Sequence, residues 1–114
     1  MAKKLDFNAI AQPTLELVMR DTNKTHITVT TPSVELVEKL EANLDDITAA
    51  CNKKDANSMT VCYDLAAEFI SNNQEGITIT GQELREVYGV DYTLLFAFFI
   101  AYQDLINEIK SAKN

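Results

Sequence analysis

The period of the hydrophobic pattern changes along the chain. Leu15, Leu17 and Met19 alternate with Thr14, Glu16 and Val18, and Ile27 and Val29 alternate with Thr and His residues. A period of two with β-branched side chains predicts strands over 14–20 and 25–30. Asp21, Thr22, Asn23 and Lys24 between them are turn residues, so 14–30 reads as a β-hairpin. From Thr31 and Pro32 the period lengthens. Leu36, Val37, Leu40, Leu44, Ile47 and Cys51 recur at steps of three and four, which predicts one helix over about 32–52, capped by the Thr31 hydroxyl. A second helix, about 58–71, carries Met59, Cys62, Leu65, Ala66 and Phe69 on one side. Ile77, Thr78 and Ile79 fit either a third short strand or an extended linker. Thr80 and Glu83 have the spacing of a capping box, so a short helix is expected over about 81–88, stopped by Gly89.

The last helix, about 92–110, is entered through Asp91 and holds the most apolar stretch of the sequence, residues 94–109. Leu95, Phe99, Tyr102, Ile106 and Ile109 form one stripe, which Tyr92 extends. Phe96, Ile100 and Gln103 lie beside it, and Leu94, Phe98 and Leu105 point elsewhere. The run is shorter than the roughly 18 apolar residues of a membrane span. A helix that is apolar nearly all round needs cover nearly all round, and a second protein is one source of it. Phe96, Phe98, Phe99, Tyr102 and Leu105 are therefore the candidate partner-binding residues.

These elements predict an α+β fold, mostly helical: an N-terminal β-hairpin followed by a small bundle of about four helices. A length of 114 residues suits one globular domain over 13–114, preceded by an arm, 1–12, with Leu5, Phe7 and Ile10. The net charge of −7 argues against nucleic acid as partner, because phosphates call for a basic face. Lys3 and Lys4 lead into a polar stretch and not an apolar leader core, so the cytoplasm is the expected location. Cys51 and Cys62 then read as small buried residues with free thiols.

Candidate chemistry is sparse. His26 is the only histidine, in a strand and without a nucleophile placed beside it. Each of the three glycines falls at a turn or cap, which leaves no phosphate-cradling loop. Glu35, Glu38 and Glu41 on one helix, with Asp64 and Glu68 on the next, invite comparison with the carboxylate pairs that hold Mg²⁺ beside a nucleotide phosphate. Some helical pyrophosphatases pair a Glu-x-x-Glu helix with a Glu-x-x-Asp helix. Here the second pattern is reversed in type and has three residues between the acids. No catalytic residue, metal or cofactor is expected, and an acidic helix face is ordinarily a solvated one.

Lys3 to Phe7, Pro13 and Thr14 before the first strand, Thr31 and Pro32 before the first long helix, the Ile77 to Thr80 piece and the ending from Phe98 to Ile109 together resemble the tail assembly chaperones of phages and prophages of Gram-positive bacteria. The resemblance spans essentially the full length. It implies a non-enzymatic protein that binds the tape-measure protein, shields its apolar helices and helps recruit tail tube subunits, and that self-associates as a homo-oligomer in the bacterial host cytoplasm. The alternative class is a small regulatory or adaptor protein that meets its partner through the C-terminal apolar helix; a Mg²⁺-dependent nucleotide hydrolase is the third.

Overall fold

The computed structural model describes residues 3, 5–6, 12–53 and 56–111. Phe7 and Ile10 of the expected arm lie outside the described residues, as do Lys54 and Asp55. Two strands, β1 (Leu15–Val18) and β2 (His26–Val29), precede five helices: α1 (Val34–Ala42), α2 (Leu44–Lys53), α3 (Ala56–Ile70), α4 (Gly81–Glu86) and α5 (Tyr92–Ser111). The α+β, mainly helical class expected from the sequence is the one observed. Among the described residues, no helix is long and apolar enough to cross a membrane.

The strands pair antiparallel, with Leu15 opposite Val29 and Leu17 opposite Ile27. This register puts the leucines on the same face as the fully buried Ile27 and Val29. The turn is tied by Asp21, whose carboxylate accepts from the Thr25 amide (2.8 Å) and the Thr25 hydroxyl. Lys24 takes the left-handed conformation there, with φ of 49°. The outer edge of β2 is closed by the segment after α3. Asn72 O accepts from Thr30 N at 2.9 Å, Gln74 N donates to Thr28 O at 2.9 Å, and Thr28 N donates to the Glu75 carboxylate at 2.8 Å.

The long first helix expected over 32–52 is two helices, broken at Asn43. Its side-chain amide donates to the Lys39 carbonyl at 2.8 Å, taking the acceptor that its own backbone N–H would use in a continuous helix. That N–H turns to the Leu40 carbonyl instead, and the Asn43 carbonyl restarts the ladder by accepting from Ile47 N. The cap at the start also differs from expectation. Ser33, not Thr31, caps α1 by accepting from Leu36 N, while the Thr31 hydroxyl donates to the Pro13 carbonyl.

α3 begins at Ala56, two residues earlier than expected, and is the helix around which the others pack. Beyond Met59, Cys62, Leu65, Ala66 and Phe69 it also buries Tyr63, Ala67 and Ile70. α2, α4, α5 and β2 all lie against it. Gly81 permits the close α3–α4 approach, since an added Cβ would come within 2.9 Å of the Asp64 amide nitrogen. Residues 77–79 are an extended linker and not a strand. Asn73 brackets Ile77 by donating to its carbonyl and accepting from its amide, and Ser71 Oγ accepts from the Ile79 amide. The capping box at Thr80 and the Asp91 cap on Leu94 N form as their spacing predicts.

The centre of the core is aromatic. Phe69 of α3 stacks on Tyr102 of α5, with centroids 4.7 Å apart and planes 9° from parallel, and meets Phe99 edge-on at 6.4 Å. Phe98 closes the group against Tyr102 at 5.4 Å. The Tyr102 hydroxyl is buried without a hydrogen-bond partner, and burial pushes its phenol well above the ordinary range. Tyr102→Phe is therefore expected to leave stability unchanged or raise it by up to ~1 kcal/mol, because an unpaired buried hydroxyl is removed. Tyr102→Ala should cost ~3–5 kcal/mol by emptying the centre of the stack. Urea denaturation of both variants measures this.

Asp21 and Glu75 give the hairpin a pH dependence. The Thr25 hydroxyl and amide hold the Asp21 carboxyl below its ordinary value, and the Thr28 amide does the same for Glu75. A folded pKa below the unfolded one means stability that is present above the ordinary carboxylate range and lost as pH falls through the lowered folded values. Denaturation midpoints should fall below about pH 4, where carboxylates protonate, and Glu75→Gln should flatten that fall.

Candidate functional site

The polar candidates do not converge on a reactive centre. His26 Nδ1 lies 3.5 Å from Glu16 Oε1, both side chains being mostly in solvent. Glu35, Glu38 and Glu41 are exposed along α1. Glu68, on α3, is bound by Lys39 Nζ at 2.6 Å, so a cation from α1 occupies the place where a carboxylate pair would hold a metal. Asp64 covers Gly81 at the α3–α4 crossing. Among the described residues, no group of three or more His, Cys, Asp or Glu side chains is arranged to hold a metal ion. Cys51 and Cys62 are both free thiols. Burial pushes the Cys62 thiol up to about 11, with the nearby Cys51 and Asp46 adding to the shift, which keeps it protonated and unreactive.

The apolar candidates divide. Phe98, Phe99, Tyr102 and Leu105 are buried within the chain, at 7%, 6%, 0% and 4% exposure. Phe69 of α3 and the rings of α5 itself cover much of the three aromatics, with Phe99 reaching the floor of one apolar cavity and Phe98 that of another. Phe96 is half-buried, one position around the helix, and lies on the rim of a groove between α2 and α5. The groove encloses about 320 Å³ and is lined by Leu40, Leu44, Ile47, Phe96, Phe99 and Ile100, among others. Ile100 is 66% exposed and Leu44 40%. Two large aliphatic side chains stand in water at its lips.

Leu40, Leu44, Ile47 and Cys51, which share one stripe across the break at Asn43, wall the groove on one side, and Phe96, Phe99 and Ile100 of α5 wall it on the other. Asp104 borders the groove and, among the described residues, no Lys or Arg lines it. An apolar cleft with an acid on its border suits the apolar stripe of an amphipathic helix with a basic residue on its flank.

Leu44 and Ile100 are residues that the hydrophobic pattern alone does not single out for binding. Ile100 falls beside the main stripe of α5, which marks it as the less covered flank. Leu44 falls within the stripe of Leu40 and Ile47, and the pattern does not show that this part of the stripe is left uncovered. A second apolar hollow, of about 330 Å³, lies on the other flank of α5 against β1.

In comparisons with known proteins, no family model, curated protein or solved structure matches the chain.

The two kinds of apolar residue on α5 should separate by mutation. Phe98→Asp buries an unpaired charge and is expected to unfold the protein or cost more than ~3 kcal/mol. Ile100→Asp, at the groove lip, should stay within about 0.5 kcal/mol of wild type. Thermal melts followed by circular dichroism decide between these outcomes, and equal losses would put Ile100 in the core.

Proposed function

We propose that the protein is a binding module of the tail assembly chaperone type, which holds apolar helices of a tape-measure protein and helps bring tail tube subunits to it in the cytoplasm of a bacterial host. The observation that carries this reading is the α2–α5 groove, with Leu44 and Ile100 exposed at its lips and Asp104 on its border. A chaperone for long helices needs an apolar surface that accepts many sequences, not a pocket tuned to one. A cleft of branched aliphatic side chains open along its length meets that need. The net charge of −7 keeps such a surface in solution and favours a client with basic flanks. The sequence resemblance described above supplies the identity of the client. No catalytic step and no cofactor belong to this reading.

Binding to the groove is by burial. A helix placing two or three Leu-sized side chains into it would gain roughly 1.5–3 kcal/mol for each one fully buried, before the cost of association. Affinity per site is thus modest, which fits a protein that must later give way to tail tube subunits.

Co-expression with fragments of a tape-measure protein tests the proposal. The wild-type chain should raise the soluble fraction of helical fragments, and Ile100→Glu, which folds but places a charge on the lip, should lower that effect by about tenfold or more in affinity. Failure to solubilise any fragment across the length of the client would overturn the reading.

A further inference from the structure

The two edges of the hairpin differ. On β2, the outward N–H and C=O of Thr28 and the N–H of Thr30 are all taken by residues 72–75. On β1, the pairing of Met19 N with Thr25 O shows that odd-numbered residues bond inward to β2. The backbone groups of Glu16 and Val18 therefore point away from the sheet. The next outward group, Arg20 N, is taken by the Tyr88 carbonyl at 3.2 Å. Among the described residues, no strand pairs with the outer edge of β1. Val18 is 56% exposed. An open edge of this kind is a template for another strand.

Directly beyond that edge lies the hollow of about 330 Å³ between β1 and α5. Leu15 and Leu17 wall it on the strand side, and Leu94, Ala97 and Ala101 on the helix side. Ala97 is exposed and Ala101 half-buried, so this flank of α5 is both apolar and low enough for close approach. Among the described residues, Glu16 and Arg20 are the charged ones that line the hollow, one of each sign.

We infer that this edge and hollow are a two-fold interface between two copies of the chain, formed by antiparallel pairing of β1 with the partner's β1. With the axis at Leu17, Glu16 falls opposite the partner's Val18 and Val18 opposite the partner's Glu16. These are the residues whose N–H and C=O groups face outward, so every open group on the edge finds its complement. On the inner face Leu17 meets the partner's Leu17 over the hollow, and the two leucine rows cover it. On the outer face Glu16, opposite the partner's Val18, has two diagonal neighbours on the facing strand, the partner's Arg20 on one side, within reach of long side chains, and the partner's Glu16 on the other, across the axis. The symmetry repeats that acid–base contact on the other side of the axis. Arg20 is available for it, because its contact with Asp91 is long, 3.9 Å, and exposed. The two hairpins thereby form one four-stranded sheet with the β1 strands at its middle, a size that is stable where a lone hairpin is marginal. The interface uses the β1 side of α5, through Leu94, Ala97 and Ala101, and the client groove the α2 side, through Phe96 and Ile100, so the two have no lining residue in common and the inference stands or falls independently of the proposed function.

Light scattering coupled to size-exclusion chromatography on the full chain should give twice the mass of the 12.7 kDa protomer. Val18→Pro removes an outward N–H that the protomer does not use, and should give a folded monomer by circular dichroism. Glu16→Arg should weaken the dimer by about tenfold or more by setting like charges together, and Glu16→Arg combined with Arg20→Glu should restore it. A wild-type monomer at the highest soluble concentration overturns the inference, including one that dimerises only after residues 2–11 are deleted, which would assign the edge to the chain's own arm. A dimer indifferent to Val18→Pro and to the charge swap overturns it in favour of another face.

Discussion

The fold depends on the enclosure of α3. Past its first turn its exposed positions run in one narrow line through Thr60, Val61, Asp64 and Glu68, and the other residues from Met59 to Ile70 are buried. A 15-residue helix with so little polar surface has no stability of its own in water and must be surrounded. α5 supplies one side through the Phe69–Tyr102 stack, α4 crosses another at Gly81, α2 closes a third, and Ile27 and Val29 of the hairpin cap the remainder. The connections are short and side chains pin them: Asn73 and Ser71 hold the linker into α4, and the Tyr63 hydroxyl donates to the Val90 carbonyl at 2.6 Å to hold the turn into α5.

Much of this is written in local pattern. Alternation sets the hairpin and its inward face, because a slip of one residue would turn Ile27 and Val29 into solvent. The Thr80 capping box and the Asp91 cap follow from spacing, since each is a contact between residues three apart. What the pattern hides is decided by competition. Asn43 sits in an unbroken period of three and four, and the helix breaks because a side-chain amide outcompetes the backbone for one carbonyl. Thr31 and Ser33 are both good caps; Ser33 takes the role by accepting from Leu36 N, and the Thr31 hydroxyl donates to the Pro13 carbonyl. The rank of the two apolar helices is inverted for a related reason. α5 is richer in large side chains, but α3 has small ones, Ala66 and Ala67, that let neighbours close in on more sides.

The candidate site was legible by element and not by residue. An over-apolar final helix draws attention to α5, and aromatic side chains are the natural choice as anchors. Large rings at the centre of a small domain are also what its core most needs, and Phe98, Phe99 and Tyr102 go there. The surface left over is modest: Ile100, the edge of Phe96, and Leu44 on the facing lip. Periodicity reports how much of a helix is apolar; which part stays uncovered depends on where the other helices lie.

That distinction explains why α5 is apolar nearly all round although its domain is small. Its turns present three apolar flanks at once. Leu95, Phe99, Tyr102 and Ile106 face α3 and complete the core. Phe96 and Ile100, one position further around, face the cleft shared with α2. Leu94, Ala97 and Ala101, one position back, face the hollow beside β1. A helix needed only for folding would carry the first set and put charges at the other two, as α1 does with Glu35, Glu38 and Glu41. Two further apolar flanks, each beside a cavity of comparable size and each bordered by few charges, are costly for solubility unless something covers them. The flank with exposed aliphatic lips and an acidic border suits a helix from another protein. The flank beside an open strand edge, with one acid and one base, suits a second copy of the same chain. One helix therefore joins the core, the client surface and the assembly surface, and its composition is the sum of those three demands.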